Sequence, residues 1–257
     1  MAKQMKQIFS FFLTLFLASA SMQAETGSIF ETALPAKETS ATQALTLWKA
    51  GTRVSEQAVK AFGLDKCFSV NRIDDATYKR IHGKSFPDNC RIQRADLRYL
   101  RLLHRTLDGH IQLGELICNR CIANDLVAIF RQLYDANYPI ERMVLIDNYG
   151  AEDEPSMTAN NTTCFCYRTV AGSKKLSAHS MGLAVDINPL YNPYIKTRNG
   201  KTKIQPKAGR PYTDRTRSYP YKITRSDLCF RLFRQHGFTW GGDWRSLKDY
   251  QHFEKAN

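Results

Sequence analysis

No internal repeat and no low-complexity tract runs through the 257 residues, which excludes a solenoid, a propeller or a permanently unfolded polar chain. Beyond the first two dozen residues no stretch is apolar enough to cross a bilayer, so a polytopic helical membrane protein is excluded. Acidic residues are in short supply. Against 24 Asp and Glu stand 37 Lys and Arg, a formal charge of +13 that favours an anionic partner. No helix-turn-helix or aromatic recognition motif accompanies this charge, so nucleic acid is not the expected partner. Cys118-Asn-Arg-Cys121 lacks a surrounding βαβ pattern, which argues against a redox motif, and Cys164-Phe-Cys166 is spaced too tightly for a four-thiolate zinc knuckle. The seven cysteines therefore read as buried small hydrophobes or structural bridges, with at least one unpaired.

What is present begins with a secretory layout. Lys3 and Lys6 precede an apolar run over residues 8–17, and small residues follow around 18–20 and at Ala24. Residues 1–24 are expected to be a signal peptide, and no cysteine follows to suggest lipid attachment. Its removal would leave no membrane-spanning segment and, after loss of two lysines from 37, 35 basic against 24 acidic residues, a charge of +11. Residues 25–66 are expected to form an N-terminal extension and residues 67–257 the main domain, a length sufficient for a substantial core.

Apolar spacing permits a helix over residues 41–61 and predicts one over 97–107, where Leu97, Leu100, Leu103 and Leu107 recur at helical intervals. Residues 122–136 are the clearest helix, with Ile122, Leu126, Ile129, Phe130 and Leu133 on one stripe. Residues 140–149 read as a buried strand, Ser226 as the N-cap of a helix through Gln235, and His252-Phe253-Glu254 as a terminal strand. Between residues 196 and 225 lie ten basic residues and one acid, Asp214, interrupted by glycines and prolines. This stretch reads as a cationic flap at a cleft edge.

Two segments carry the chemistry: Ser177-Ala-His179-Ser-Met-Gly182-Leu-Ala-Val-Asp186 and Asp249-Tyr-Gln-His252-Phe-Glu254. His179, Asp186 and His252 provide two imidazoles and one carboxylate, a donor set that holds one Zn²⁺ through three protein contacts and leaves a fourth position for water. Asp186 interrupts an apolar run, and a buried carboxylate demands a partner such as a metal. Asp249, three residues before His252, is suited to take a proton from that water as general base. His82, His104, His110 and His236 lack ligand spacing and are left out of the site.

These residues, with Asn160-Asn161-Thr162-Thr163-Cys164-Phe165, Arg168, Asn188-Pro189-Leu-Tyr191 and Trp240-Gly-Gly-Asp-Trp244, resemble zinc peptidases of the D-alanyl-D-alanine carboxypeptidase and L-alanyl-D-glutamate endopeptidase family, relatives of the hedgehog signalling domain. The resemblance implies an α+β single domain in which a small antiparallel sheet flanked by helices carries the zinc. It assigns Arg168 to the substrate carbonyl and the developing oxyanion, and it draws Ser177, Asn188, Tyr191 and Trp240 toward substrate, with Trp244 and Tyr194 as further candidate cleft walls. The implied activity is hydrolysis of peptidoglycan stem peptides in the periplasm or cell envelope of a bacterium, by a D-alanyl-D-alanine carboxypeptidase ahead of an L-alanyl-D-glutamate endopeptidase. An aspartate rather than a glutamate at 249 is closer to the endopeptidase pattern than to the free-dipeptide enzymes. A zinc-containing wall-binding module without catalysis is the alternative from another class, and anionic wall polymer is a further expected partner.

Overall fold

The computed structural model describes residues 36–170 and 174–256, so the expected signal peptide lies outside the described residues. The chain from there is α+β, with antiparallel sheets throughout.

The permitted helix over 41–61 is two helices, α1 (Ala36–Leu47) and α2 (Glu56–Phe62), separated by the short strand β1 (Arg53–Val54). The chain breaks at Trp48, whose φ is +51°. Its indole, 4% exposed, enters the core and donates to the Gly114 carbonyl at 2.9 Å. Ser55 then caps α2 by accepting from the Ala58 N–H at 3.1 Å. Leu45, Trp48, Val54, Ala58 and Val59 all join the main core. Residues 44–59 are therefore packed into the domain rather than leading up to it.

Next come β2 (Ser69–Arg72), α3 (Asp75–Ile81), β3 (Leu97–Arg105) and β4 (Ile111–Asn119), and the first sheet runs β1-β4-β3-β2. Residues 97–107 are thus a strand and a turn, not a helix. Leu97, Leu100 and Leu103 are buried at helical intervals, but so are Tyr99 and Leu102, because β3 is covered on both faces and has no polar alternation to reveal its period of two. Helix α4 (Ala123–Asp135) lies across this sheet with the expected stripe inward.

Residues 140–149 also depart from expectation: Ile140 and residues 143–147 are buried, but the stretch forms no strand, and Ile146–Tyr149 is a 3₁₀ turn. The Asn161 side chain takes the place of a neighbouring strand, accepting from the Val144 N–H at 2.9 Å and donating to the Val144 carbonyl at 3.0 Å.

Helix α5 (Asp153–Thr158) precedes β5 (Ala184–Asp186), β6 (Tyr194–Arg198), β7 (Lys201–Gln205), α6 (Leu228–Gln235), β8 (Thr239–Trp240), β9 (Lys248–Asp249) and β10 (His252–Glu254). The N-cap of α6 is Asp227, which accepts from the Cys229 N–H at 2.8 Å; Ser226 lies one position too early. Two small sheets result, ordered β5-β10-β8 and β7-β6-β9. The basic flap resolves into a β6–β7 hairpin turned by Asn199 and Gly200, both with positive φ, followed by a segment folded around Arg215. Arg215 donates to the Tyr191 and Ile223 carbonyls at 3.0 and 2.6 Å and lies over the Tyr250 ring, so it serves the fold rather than a free surface.

Candidate metal centre

Strand parity builds the centre. In β10 successive side chains face opposite ways, so Phe253 enters the core, stacked on Phe233 at 4.4 Å, while His252 and Glu254 face the other side. The register of β10 on β5 pairs His252 directly with Asp186, and opposed residues on one face bring their side chains together. His179 arrives from the 3₁₀ turn Ala178–Met181, whose N-cap Ser177 accepts from the His179 N–H at 3.3 Å. Gly182 closes that turn at φ +66°, and a Cβ there would stand 2.6 Å from the Asn119 nitrogen, which instead donates to the Gly182 carbonyl. The turn is thereby docked on the end of β4.

The donor atoms of His179, Asp186 and His252 all lie within 4.8 Å of one another, and all three residues are buried. The tautomers follow from the outer partners. His179 Nδ1 faces the Cys164 carbonyl at 2.6 Å and must donate, leaving Nε2 as a lone pair. His252 Nε2 faces Glu254 at 3.2 Å, leaving Nδ1 as a lone pair. Those two lone pairs approach to 3.2 Å, and each also faces the Asp186 carboxylate, at 3.3 and 3.1 Å. Three lone-pair donors converging in a buried space fit a cation, and two nitrogens with one oxygen suit a borderline ion such as Zn²⁺. Burial works to raise the Asp186 pKa, but the two imidazoles hold it well below the usual carboxylate range. Burial works to lower that of His252, yet Asp186 and Glu254 lift it to about 10, so below that pH the Nδ1 lone pair is free for a metal only once its proton has been displaced.

Asp249 lines the same cleft, of about 330 Å³. Its Oδ1 is buried and without a hydrogen-bond partner among the described residues, a costly state unless water or a ligand meets it. Burial raises its pKa to about 7, with His252 opposing and Asp186 adding to the rise. Its position is set by Gly241: a Cβ there would be 2.6 Å from the Asp249 carbonyl oxygen.

Arg168 also lines the cleft. Its backbone N–H donates to Ser180 Oγ at 2.8 Å, the same hydroxyl donates back to the Arg168 carbonyl, and Ser177 N–H donates to that carbonyl at 3.1 Å. The arginine is therefore tied to the turn that carries His179. Its Nε pairs with Asp153 at 2.8 Å.

The remaining expected contacts divide. Ser177 lines the cleft, as do Tyr194 and Trp244, the latter with its ring 5.2 Å from that of His252. Asn188 is fully buried and spent on the fold, accepting from Glu141 N–H at 3.2 Å and donating to the Pro139 carbonyl at 2.9 Å. Tyr191 packs among Tyr212 and Tyr221, and Trp240 packs on Phe230 and Phe253 while donating to the Tyr250 carbonyl; none of the three lines the cleft. Sequence reasoning missed Glu254, Asp153 and Ser180, although the spacing of Glu254 from His252 along a strand was a readable signal. Each other histidine has its own partner: Asp88 for His82, the Ile140 carbonyl for His104, Asp108 for His110 and Asp125 for His236. Cys67, Cys90, Cys118, Cys164, Cys166 and Cys229 are free thiols, and the only metal-capable group among the described residues is the one above. A wider hollow of about 580 Å³ lined by Glu56, Arg105 and Tyr134 has its arginine already paired with Glu56 and holds no convergent donors.

Residues 171–255 match the family model for D-alanyl-D-alanine carboxypeptidase. The family resemblance therefore holds over the span that contains all three candidate ligands and Asp249. Arg168 and the first sheet lie outside it. No curated protein and no solved structure matches the chain.

Proposed function

We propose that this chain is an exported zinc peptidase that cleaves an amide bond in the stem peptides of peptidoglycan, with removal of a terminal D-alanine as the first reading and L-alanyl-D-glutamate cleavage as the second. One observation carries it: three lone-pair donors converge beside a buried carboxylate oxygen that has no partner among the described residues. Zinc held by His179, Asp186 and His252 would supply a Lewis acid for the scissile carbonyl and a means of activating water.

The chain's own groups divide the remaining work. Asp249, with a pKa lifted to about 7, is poised to accept a proton from water and return it to the leaving amine. Arg168, held through Nε by Asp153, offers its terminal N–H groups to the carbonyl oxygen as negative charge develops there. Cys164 and Glu254 fix the imidazole tautomers, and Trp244 shields His252 from water. Export rests on the sequence of residues 1–24, and the excess of basic residues suits an anionic wall.

Defined muropeptides incubated with the zinc-loaded protein and read by mass spectrometry test the proposal. Loss of one alanine supports the carboxypeptidase, and a cut between L-alanine and D-glutamate supports the endopeptidase. Binding of zinc and wall without any released product would favour the non-catalytic module, a reading that leaves the unpartnered Asp249 oxygen unexplained.

A further inference from the structure

The β6–β7 hairpin has a charged face that its fold does not require. Cross-strand partners are Tyr194 with Gln205, Lys196 with Lys203 and Arg198 with Lys201, so one face carries four cations, and neither strand contains an acid. The other face carries Ile195, Thr197, Thr202 and Ile204. Like charges placed directly opposite destabilise a strand pair. Lys196 and Lys203 are such a pair, and no ion pair among the described residues relieves either one.

Their placement is specific. Tyr194, Lys196, Lys203 and Gln205 line the same cleft as His179, Asp186, Asp249 and His252. Strand β6 also pairs with β9, where Tyr194 is the direct partner of Asp249. Lys196 is therefore two positions along the strand from the partner of the proposed base, a distance of about 7 Å. That is the reach of about two residues of an extended peptide.

Resting on the peptidase reading above, we infer that Lys196 and Lys203 form a carboxylate-recognition subsite, which selects peptide substrates bearing a free carboxylate within two residues of the scissile amide. Two ammonium groups facing one another across a hairpin gain a shared counter-ion when that carboxylate enters, and Gln205 and Tyr194 beside them add neutral donors. The mutual repulsion that costs the free protein becomes differential affinity for an anionic substrate. Arg198 and Lys201, on the same face but outside the cleft wall, have no such role.

The test uses a stem peptide with its carboxylates free and versions in which each carboxylate in turn is a carboxamide. Both kcat/KM and equilibrium binding to the zinc-loaded full-length protein are measured. One carboxamide should weaken binding and kcat/KM by about tenfold in the wild type. In Lys196→Gln and Lys203→Gln that ratio should shrink to within about threefold, whereas Arg198→Gln and Lys201→Gln should keep it. Equal treatment of acid and amide by the wild type overturns the inference, as does an undiminished ratio in both cleft variants. A uniform loss of affinity for every peptide in all four variants also overturns it, since that would be unspecific attraction. If the wild type cleaves no peptide, the peptidase reading fails, and the binding ratio still decides whether the subsite exists.

Discussion

Gly241→Ala probes how the base is placed without replacing any titratable group. A Cβ at position 241 would lie 2.6 Å from the Asp249 carbonyl oxygen and 2.8 Å from Asp249 Cβ. Ordinary contact begins near 3.4 Å, so β9 must retreat by about 0.8 Å to accept one methyl group. Misplacement on the order of 1 Å in an active site costs about 10²-fold in rate, equivalent to about 2.7 kcal/mol in the barrier. The three atoms nearest the new methyl group all belong to Asp249, whereas the candidate ligands sit on β5, β10 and the turn Ala178–Met181, so zinc content should stay near one per chain. Steady-state kinetics on a stem peptide, with metal content determined on the same sample, reads both quantities. A rate within threefold of wild type would refute the view that Gly241 sets the position of Asp249. Loss of zinc in step with activity would refute the claim that base and ligands are placed by separate contacts. Gly242→Ala is the comparator: its Cβ would meet the Trp240 ring, which lies outside the cleft, so it should lower the melting temperature.

Five further outcomes follow from the same geometry. His179→Ala or His252→Ala should lose most bound zinc, and full occupancy in both would sink the ligand assignment. Glu254→Gln should weaken zinc affinity by about tenfold in a chelator competition while leaving one site per chain; unchanged affinity would show that Glu254 does not orient His252. Because only ionised Asp249 can accept a proton, kcat/KM should fall as pH drops through an apparent pKa at or below about 7, and Asp249→Asn should lose about 10²-fold in rate together with that limb. In chelated protein the raised Asp249 pKa has a separate effect on stability: its contribution is full below about pH 4 and is lost as pH rises through about 7, which thermal unfolding against pH would detect. Arg168→Lys keeps the charge but loses the planar fork, and should cost about 10²-fold in rate with zinc retained; wild-type turnover would remove Arg168 from the oxyanion role.

His179, Asp186, His252 and Asp249 stood out in the sequence as candidates because a metal site needs particular side chains at particular spacings, and the fold brings the first three together. The strand His252–Glu254 and the helix α4 were legible through alternation and a clean apolar stripe. Strand β3 was not, since burial of Tyr99 and Leu102 as well as Leu100 and Leu103 erases the signal that separates a strand from a helix. The choice between Trp240 and Trp244 was also hidden: Trp240 pairs with Phe253 and shares its core-facing side, and only the turn between the two tryptophans delivers Trp244 to the cleft. The hairpin was more accessible than its reading as a flap suggested. Asn199-Gly200 between alternating residues is a strong hairpin signal, obscured by the prolines that follow.

His179 and His252 are 73 residues apart, and the stretch between them holds the hairpin, α6 and the Trp240–Trp244 turn. An ion gripping both ends would act on this stretch as a covalent cross-link does, by removing open conformations from the unfolded ensemble. Occupancy then becomes a stability variable: free metal at 100 times its Kd adds about 2.7 kcal/mol, and that amount vanishes on chelation. The cost falls first on β10, a strand of only three residues that carries His252 itself, so the loaded and stripped forms should differ most in how readily a protease cuts there.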